Sequence, residues 1–138
     1  MAVVRSKAEN RESTIVKYRG LAFCICMLAL AGCAEKPIVP GQPKTANLDL
    51  APYTTREDCV DLIQGDRLDY RFESNTRVKF SIYYRDSNMI VEPITRENVV
   101  EDSGVFAPRI AARYCLLWEA SPTGALIAYH ANVRRASK

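Results

Sequence analysis

The chain has 138 residues, room for one domain of ordinary size and no second catalytic one. Hydrophobic residues at 48% and charged residues at 25% belong to a folded protein, which excludes a disordered or collagen-like whole. The net charge of +3 arises in the first 20 residues, where Arg5, Lys7, Arg11, Lys17 and Arg19 outnumber Glu9 and Glu12; from residue 33 onward 14 basic side chains balance 14 acidic ones. No surplus of cation remains on the folded part to hold a polyanion, so nucleic acid is not an expected partner.

Residues 21–31 form an uncharged apolar run behind Lys17 and Arg19 and end in Gly32-Cys33. As a helix the run would reach about 16 Å, half of the roughly 30 Å hydrocarbon core of a bilayer, so it is too short for a permanent span. A basic front, a short apolar stretch and small residues at its end predict a secretory signal peptide over residues 1–32.

The end of that run, Leu30-Ala31-Gly32-Cys33, resembles the lipobox of bacterial lipoproteins. The resemblance implies that the Cys33 thiol carries a diacylglyceryl group, that the chain is cut before Cys33, and that the new amino terminus is acylated. Small Ala31 and Gly32 suit the approach of a peptidase, and a thiol is the side chain nucleophilic enough to take the lipid. Cys24 and Cys26 follow bulky Phe23 and Ile25 and do not fit the same pattern. Each buried methylene contributes about 0.8 kcal/mol, so two or three acyl chains hold a protein on its membrane. In that family an Asp after the lipidated Cys favours the inner membrane. Here the position is Ala34, which implies the periplasmic face of an outer membrane.

Residues 34–46 carry Pro37, Pro40 and Pro43 at a spacing of three. Proline fixes φ and removes a donor, so 33–46 is predicted as a lipidated cysteine followed by an extended tether, with about 40 Å of reach at roughly 3.1 Å per residue.

Over 47–138 the dominant period is two. Leu68, Tyr70 and Phe72 alternate with polar neighbours, and so do Val78, Phe80, Ile82 and Tyr84. Residues 74–77 and 86–88 read as turns, and further strands are expected at 89–92, 97–100, 105–107, 113–119 and 125–134. Ser121-Pro122-Thr123-Gly124 between the last two reads as a hairpin connection, and Thr55 with Asp58 as the cap of one short helical turn over 55–63. Seven or eight short strands predict an all-β fold, a small antiparallel β-sandwich. A cleaved signal leaves Cys59 and Cys115 as an even pair in an oxidising compartment, where a disulfide is expected; two buried free thiols are the alternative.

A Cys ahead of the first core strand, a Gly104-Val105-Phe106 strand and an aromatic-Cys strand, Tyr114-Cys115-Leu116-Leu117-Trp118, together look like the GOLD β-sandwich domain over about 58–119. The resemblance implies two strand-joining cysteines and a role in protein contact. The chain departs from the pattern at Ala107-Pro108-Arg109.

The inventory for chemistry is thin. His130 is the one imidazole, on the last strand with Leu126 and Ala128 by parity, and reads as a surface side chain. No nucleophile elbow, phosphate loop or metal-ligand spacing is present, so no catalytic residue, cofactor or metal is assigned. Asp58 with Asp61, or Glu101 with Asp102, could be imagined as acid pairs, but neighbours on a strand point to opposite faces. Trp118, alternating with Leu116 and Tyr114, is expected inside. Tyr83, opposite in parity to Phe80, Ile82 and Tyr84, is the candidate exposed aromatic contact. The expectation is a non-enzymatic envelope lipoprotein held by lipid on Cys33 and binding another envelope protein or component, the alternative being a small-ligand or glycan-binding envelope protein.

Overall fold

A computed structural model of the protein describes residues 35–137. The expected signal peptide and the lipidation site Cys33 lie outside the described residues. The fold is an all-β sandwich of six antiparallel strands: β1 (Lys44–Leu50), β2 (Thr55–Leu62), β3 (Arg67–Asp86), β4 (Met89–Phe106), β5 (Ala112–Ala120) and β6 (Ala125–Arg134).

Two of the strands are longer than the sequence suggested. β3 runs for 20 residues and β4 for 18, as one hairpin closed at Ser87 (φ 53°). Residues 74–77, expected to be a turn, are instead an irregularity inside β3. The register with β4 slips between Glu73 and Val78, and Asn98 on the opposing strand takes a positive φ of 54°. Such a bulge bends a strand without ending it. The polar run Ser74-Asn75-Thr76-Arg77 looks the same for a bend and for a turn, which is why the two were not separable by composition.

The bend makes the sandwich. The first half of β3 pairs with β6, from Arg67 opposite Arg134 to Ser74 opposite Ile127. The second half pairs with β5, from Val78 opposite Ala120 to Tyr84 opposite Tyr114. β4 follows β3 along its other edge through both halves. One layer is therefore β1-β6-β3-β4 and the other β2-β5-β3-β4, with the β3–β4 hairpin shared between them. Residues 121–124 close a β-turn, with the Gly124 amide on the Ser121 carbonyl at 3.0 Å and Gly124 at φ 76°. The expected hairpin is not there: β5 and β6 sit in different layers, and this turn is the corner between them.

The period-two pattern fills the space between the layers. Leu68, Tyr70 and Phe72 of the first half of β3 meet Val78, Phe80 and Ile82 of the second, with the Phe72 and Phe80 rings 4.8 Å apart. Trp118 of β5 lies 4.8 Å from the Tyr129 ring of β6, across the core. On β2, Val60 and Leu62 turn inward while Cys59 and Asp61 face out, so 55–62 is a strand and not the expected helical turn. Eight residues of ladder with β5 outweigh a two-residue capping signal.

The proline-rich segment is not a free tether along its whole length. Ile38 is buried in the core, and residues 39–42 form a tight turn with Pro40 and Gly41 at its centre. The Gln42 amide bonds the Val39 carbonyl at 3.0 Å, and Gly41, at φ 81°, donates to the Val133 carbonyl at 2.9 Å. Proline followed by glycine at positive φ is the pattern of a type II turn, and that dipeptide was the signal available in the sequence. The strand β1 then takes residues 44–46, so the extended stretch predicted for 33–46 ends at Ile38.

Asp66, in the β2–β3 connection, is fully buried. Its carboxylate accepts from the Ile63 amide at 2.9 Å, the Ala136 amide at 3.2 Å and the Arg135 guanidinium, tying the end of the chain to this loop. Burial by itself would raise the carboxyl group, but the two amides and Arg135 outweigh it and hold it below the usual carboxylate range. A depressed group stabilises the fold above its unfolded value of about 3.9, and that contribution disappears as pH falls through the folded value. Asp66→Asn is expected to cost about 2 kcal/mol at neutral pH, with the gap from wild type narrowing as urea melts are taken below the unfolded value of about 3.9. A gap that stays constant down to pH 2 would show that the charge is irrelevant.

Candidate functional site

Three places bring polar or aromatic side chains together. The first is the outer face of the β2-β5-β3 layer. Cys59 and Cys115 are directly opposite on β2 and β5 and joined as a disulfide, with Cα atoms 4.0 Å apart. Tyr83 stands next to Cys115 on β3, on the outward face as its parity requires. It is not the exposed contact expected from the sequence, since only 6% of its surface is accessible. Its hydroxyl donates to Glu57 of β2, two strands away, so the ring lies across β5 instead of projecting into solvent. Burial first, and then the Glu57 carboxylate, raise the Tyr83 hydroxyl above its ordinary value. Parity told which face the ring leaves from; it could not tell that Glu57 would draw it flat. Glu57 and the two sulfurs lie within 4.8 Å of one another, but the sulfurs are bonded to each other and not free to ligate.

The second place is the seam where β1 and β2, the last strands of their layers, approach. Lys44 of β1 and Tyr129 of β6 both donate to Asp58 Oδ2 of β2, each at 2.5 Å, and Lys44 Nζ sits 5.6 Å from the Tyr129 ring centroid. Glu35 bonds Arg56 and lies 3.8 Å from Lys44. Each acid here is matched by a donor, so the group acts as a clasp that closes the sandwich along this side and pins residue 35 to it. Asp58 and Asp61 do not converge: Asp58 shares the inward parity of Val60 and Leu62 and belongs to the clasp, while Asp61 is on the outward face with Cys59, exposed near Arg113.

The third place is the opposite side, along β4. Arg96, from its first half, reaches across to Asp102 of its second half at 3.4 Å, and Asp102 also accepts from the Tyr70 hydroxyl at 3.1 Å. Glu101 faces out and Asp102 in, as strand parity demands. Burial, followed by the Asp102 charge and its hydrogen bond, pushes the Tyr70 hydroxyl up to about 12. A tyrosine raised in this way stabilises the fold below its unfolded value of about 10, and the contribution is lost as pH climbs toward 12. Tyr70→Phe is therefore expected to flatten the fall in stability between about pH 10 and 12, a change of about 2 kcal/mol for wild type, read from urea midpoints. A variant that falls as steeply as wild type would sink this assignment.

Beyond the Arg96–Asp102 bridge the two layers leave a groove of about 470 Å³ between them. Tyr114, Tyr84, Val91 and Ile94 line it from neighbouring strands of one layer, Phe106 from the other half of β4, and Arg109 is the sole charged side chain lining it. The Tyr114 ring centroid is 5.1 Å from those of both Tyr84 and Phe106, and its hydroxyl donates to the Ile110 carbonyl at 3.0 Å. The outer edge of β4 pairs with no other strand among the described residues. Exposed Met89 and Ile90 begin this strand, and exposed Val100 and Val105 lie in its second half.

His130 is exposed on β6, its Nδ1 within hydrogen-bonding distance of Thr45 Oγ1, with no carboxylate partner among the described hydrogen bonds. Sequence reasoning pointed to Tyr83 and missed the groove. Parity places two of its aromatic members, Tyr84 and Tyr114, in the core, and nothing in the sequence states that the layers part where they stand. No family model matches the chain, and no curated protein matches it either.

Proposed function

We propose that the protein is a lipid-anchored component of the bacterial cell envelope, non-enzymatic, whose β-sandwich binds another envelope protein through the β4 edge. The observation that carries this reading is the unpaired outer edge of β4. Val99 to Phe106 contains no proline and no lysine, two of the devices that blunt an edge strand, the inward Asp102 is matched by Arg96 and Tyr70, and the segment displays Val100 and Val105 to solvent. A partner strand would add to this half by main-chain hydrogen bonds. The first half is protected by Pro93, which has no N–H to offer. Anchoring is supported by the lipobox-like Leu30-Ala31-Gly32-Cys33, and the disulfide-bearing sandwich supports kinship with GOLD-like contact domains.

The test has two arms. Intact mass of protein extracted from membranes is expected to show acyl groups on a chain beginning at Cys33. A photocrosslinker at Val105 is expected to yield a discrete adduct in intact envelopes, abolished by Val100→Lys, while one at Leu126 on the outer face of β6 yields none. Unmodified Cys33 would remove the anchor, and equal labelling from both positions would remove the edge as the binding surface.

A further inference from the structure

The groove between the layers has the character of a ligand site distinct from the edge. Pockets of 300 to 1,000 Å³ lined by aromatic and aliphatic groups, with one or two polar groups that fix orientation, are the usual form of small-molecule sites. This one has a volume of about 470 Å³, with the Tyr114 ring in contact with those of Tyr84 and Phe106 and with Val91 and Ile94 beside them. Its walls are inward-facing positions of β3, β4 and β5, the positions that elsewhere in the sandwich meet a partner across the core. Here Tyr84 and Ile94 pack against the core but are only partly buried, and both line the groove.

Charge then selects the kind of ligand. No acid lines the groove, and Arg109 makes no ion pair or hydrogen bond among the described residues, unlike Arg96, Arg134 and Arg135, each of which holds an aspartate. A free guanidinium beside an apolar slot favours an anion carried on an apolar body.

We propose that this groove binds a single-chain amphiphile with one carboxylate head, its apolar body against Tyr84, Phe106 and Tyr114 and its head on Arg109. The site stands on the groove alone and depends neither on lipid at Cys33 nor on a partner at β4. Ring stacking and apolar burial supply affinity, and the guanidinium supplies selection between head groups.

Residues from Glu35 onward hold their own core and disulfide, so the experiment uses that unit, free of membrane lipid that would compete. Decanoate is titrated and followed by amide chemical shifts, with decanol and decyltrimethylammonium as the uncharged and cationic comparisons. Decanoate is expected to bind at least tenfold more tightly than either, with the largest shifts at residues 84, 94 and 106–114. Arg109→Gln is expected to remove that preference while leaving decanol binding unchanged, and Arg109 is exposed enough for the variant to fold. Binding of decanol as tight as that of decanoate would overturn the proposal. So would shifts confined to the exposed Met89 and Ile90, or no binding of any of the three at millimolar concentration.

Discussion

Replacing Cys59 and Cys115 together by alanine is expected to lower the stability of the domain by about 3 to 4 kcal/mol. The bond closes a loop spanning a sequence separation of 56, so in the chain-entropy view most of its effect lies in limiting the unfolded chain. The folded side of the change is small. Both sulfurs sit on the outer face of a β2–β5 ladder that keeps all its other pairings, and no core side chain is altered. Urea denaturation separates the two effects: the midpoint falls and the slope m rises, because a chain without the crosslink exposes more surface when it unfolds. For a domain whose total stability is of the order of 5 to 15 kcal/mol, the loss brings the alanine variant near the threshold of folding at 37 °C. A loss under about 1 kcal/mol would mean that the unfolded chain is held compact by something else.

Trp118→Ala is expected to cost as much or more, about 3 to 5 kcal/mol. The indole is the chain's single tryptophan and the largest fully buried side chain, with Phe72, Phe80 and Tyr129 around it at centroid distances of 4.8 to 6.1 Å. These rings come from both layers, so its removal opens a cavity at the place where the bent sheet meets itself. Trp118→Phe provides the control. The indole N–H has no acceptor among the described residues, so phenylalanine removes an unpaired donor along with part of the volume. The phenylalanine variant is expected to lose less than half of what the alanine variant loses, with far-UV circular dichroism reporting both melts. Equal losses would indicate that volume is not what the indole supplies.

The fold class was legible because the alternation is strict where the layers face each other. Leu68 to Phe72, Val78 to Tyr84, Tyr114 to Trp118 and the odd-numbered residues of β6 all point as their parity requires. Strand count was not legible. A bulge and a turn share their residues, so Ser74 to Arg77 split β3 on paper, and the stretches 93–96 and 101–104 split β4. Strand partners were not legible either: residues 121–124 have the composition of a hairpin loop, and whether such a loop joins neighbours or layers is decided by the bend in β3, 45 residues earlier in the chain. At Tyr83 the sequence revealed the face and not the exposure, since Glu57 lies two strands away in space and 26 positions away in sequence. The groove escaped for the same reason, because parity sorts side chains into inside and outside but carries no information on where two layers separate.

The docking of Ile38 and the clasp on Glu35 set the standing height of the domain. With residue 35 held by Arg56 and Lys44, no more than two peptide units lie between Cys33 and a fixed point on the sandwich, a leash of about 7 Å. Lipid on that cysteine, as proposed, seats the β1–β2 seam against the headgroups and leaves no room for the domain to sweep the space beyond. β4 closes both layers on the far side from that seam, so under the proposed anchoring the edge and the groove would look outward from the bilayer. If Cys33 carries lipid as proposed, a partner would have to come down to the membrane to be met.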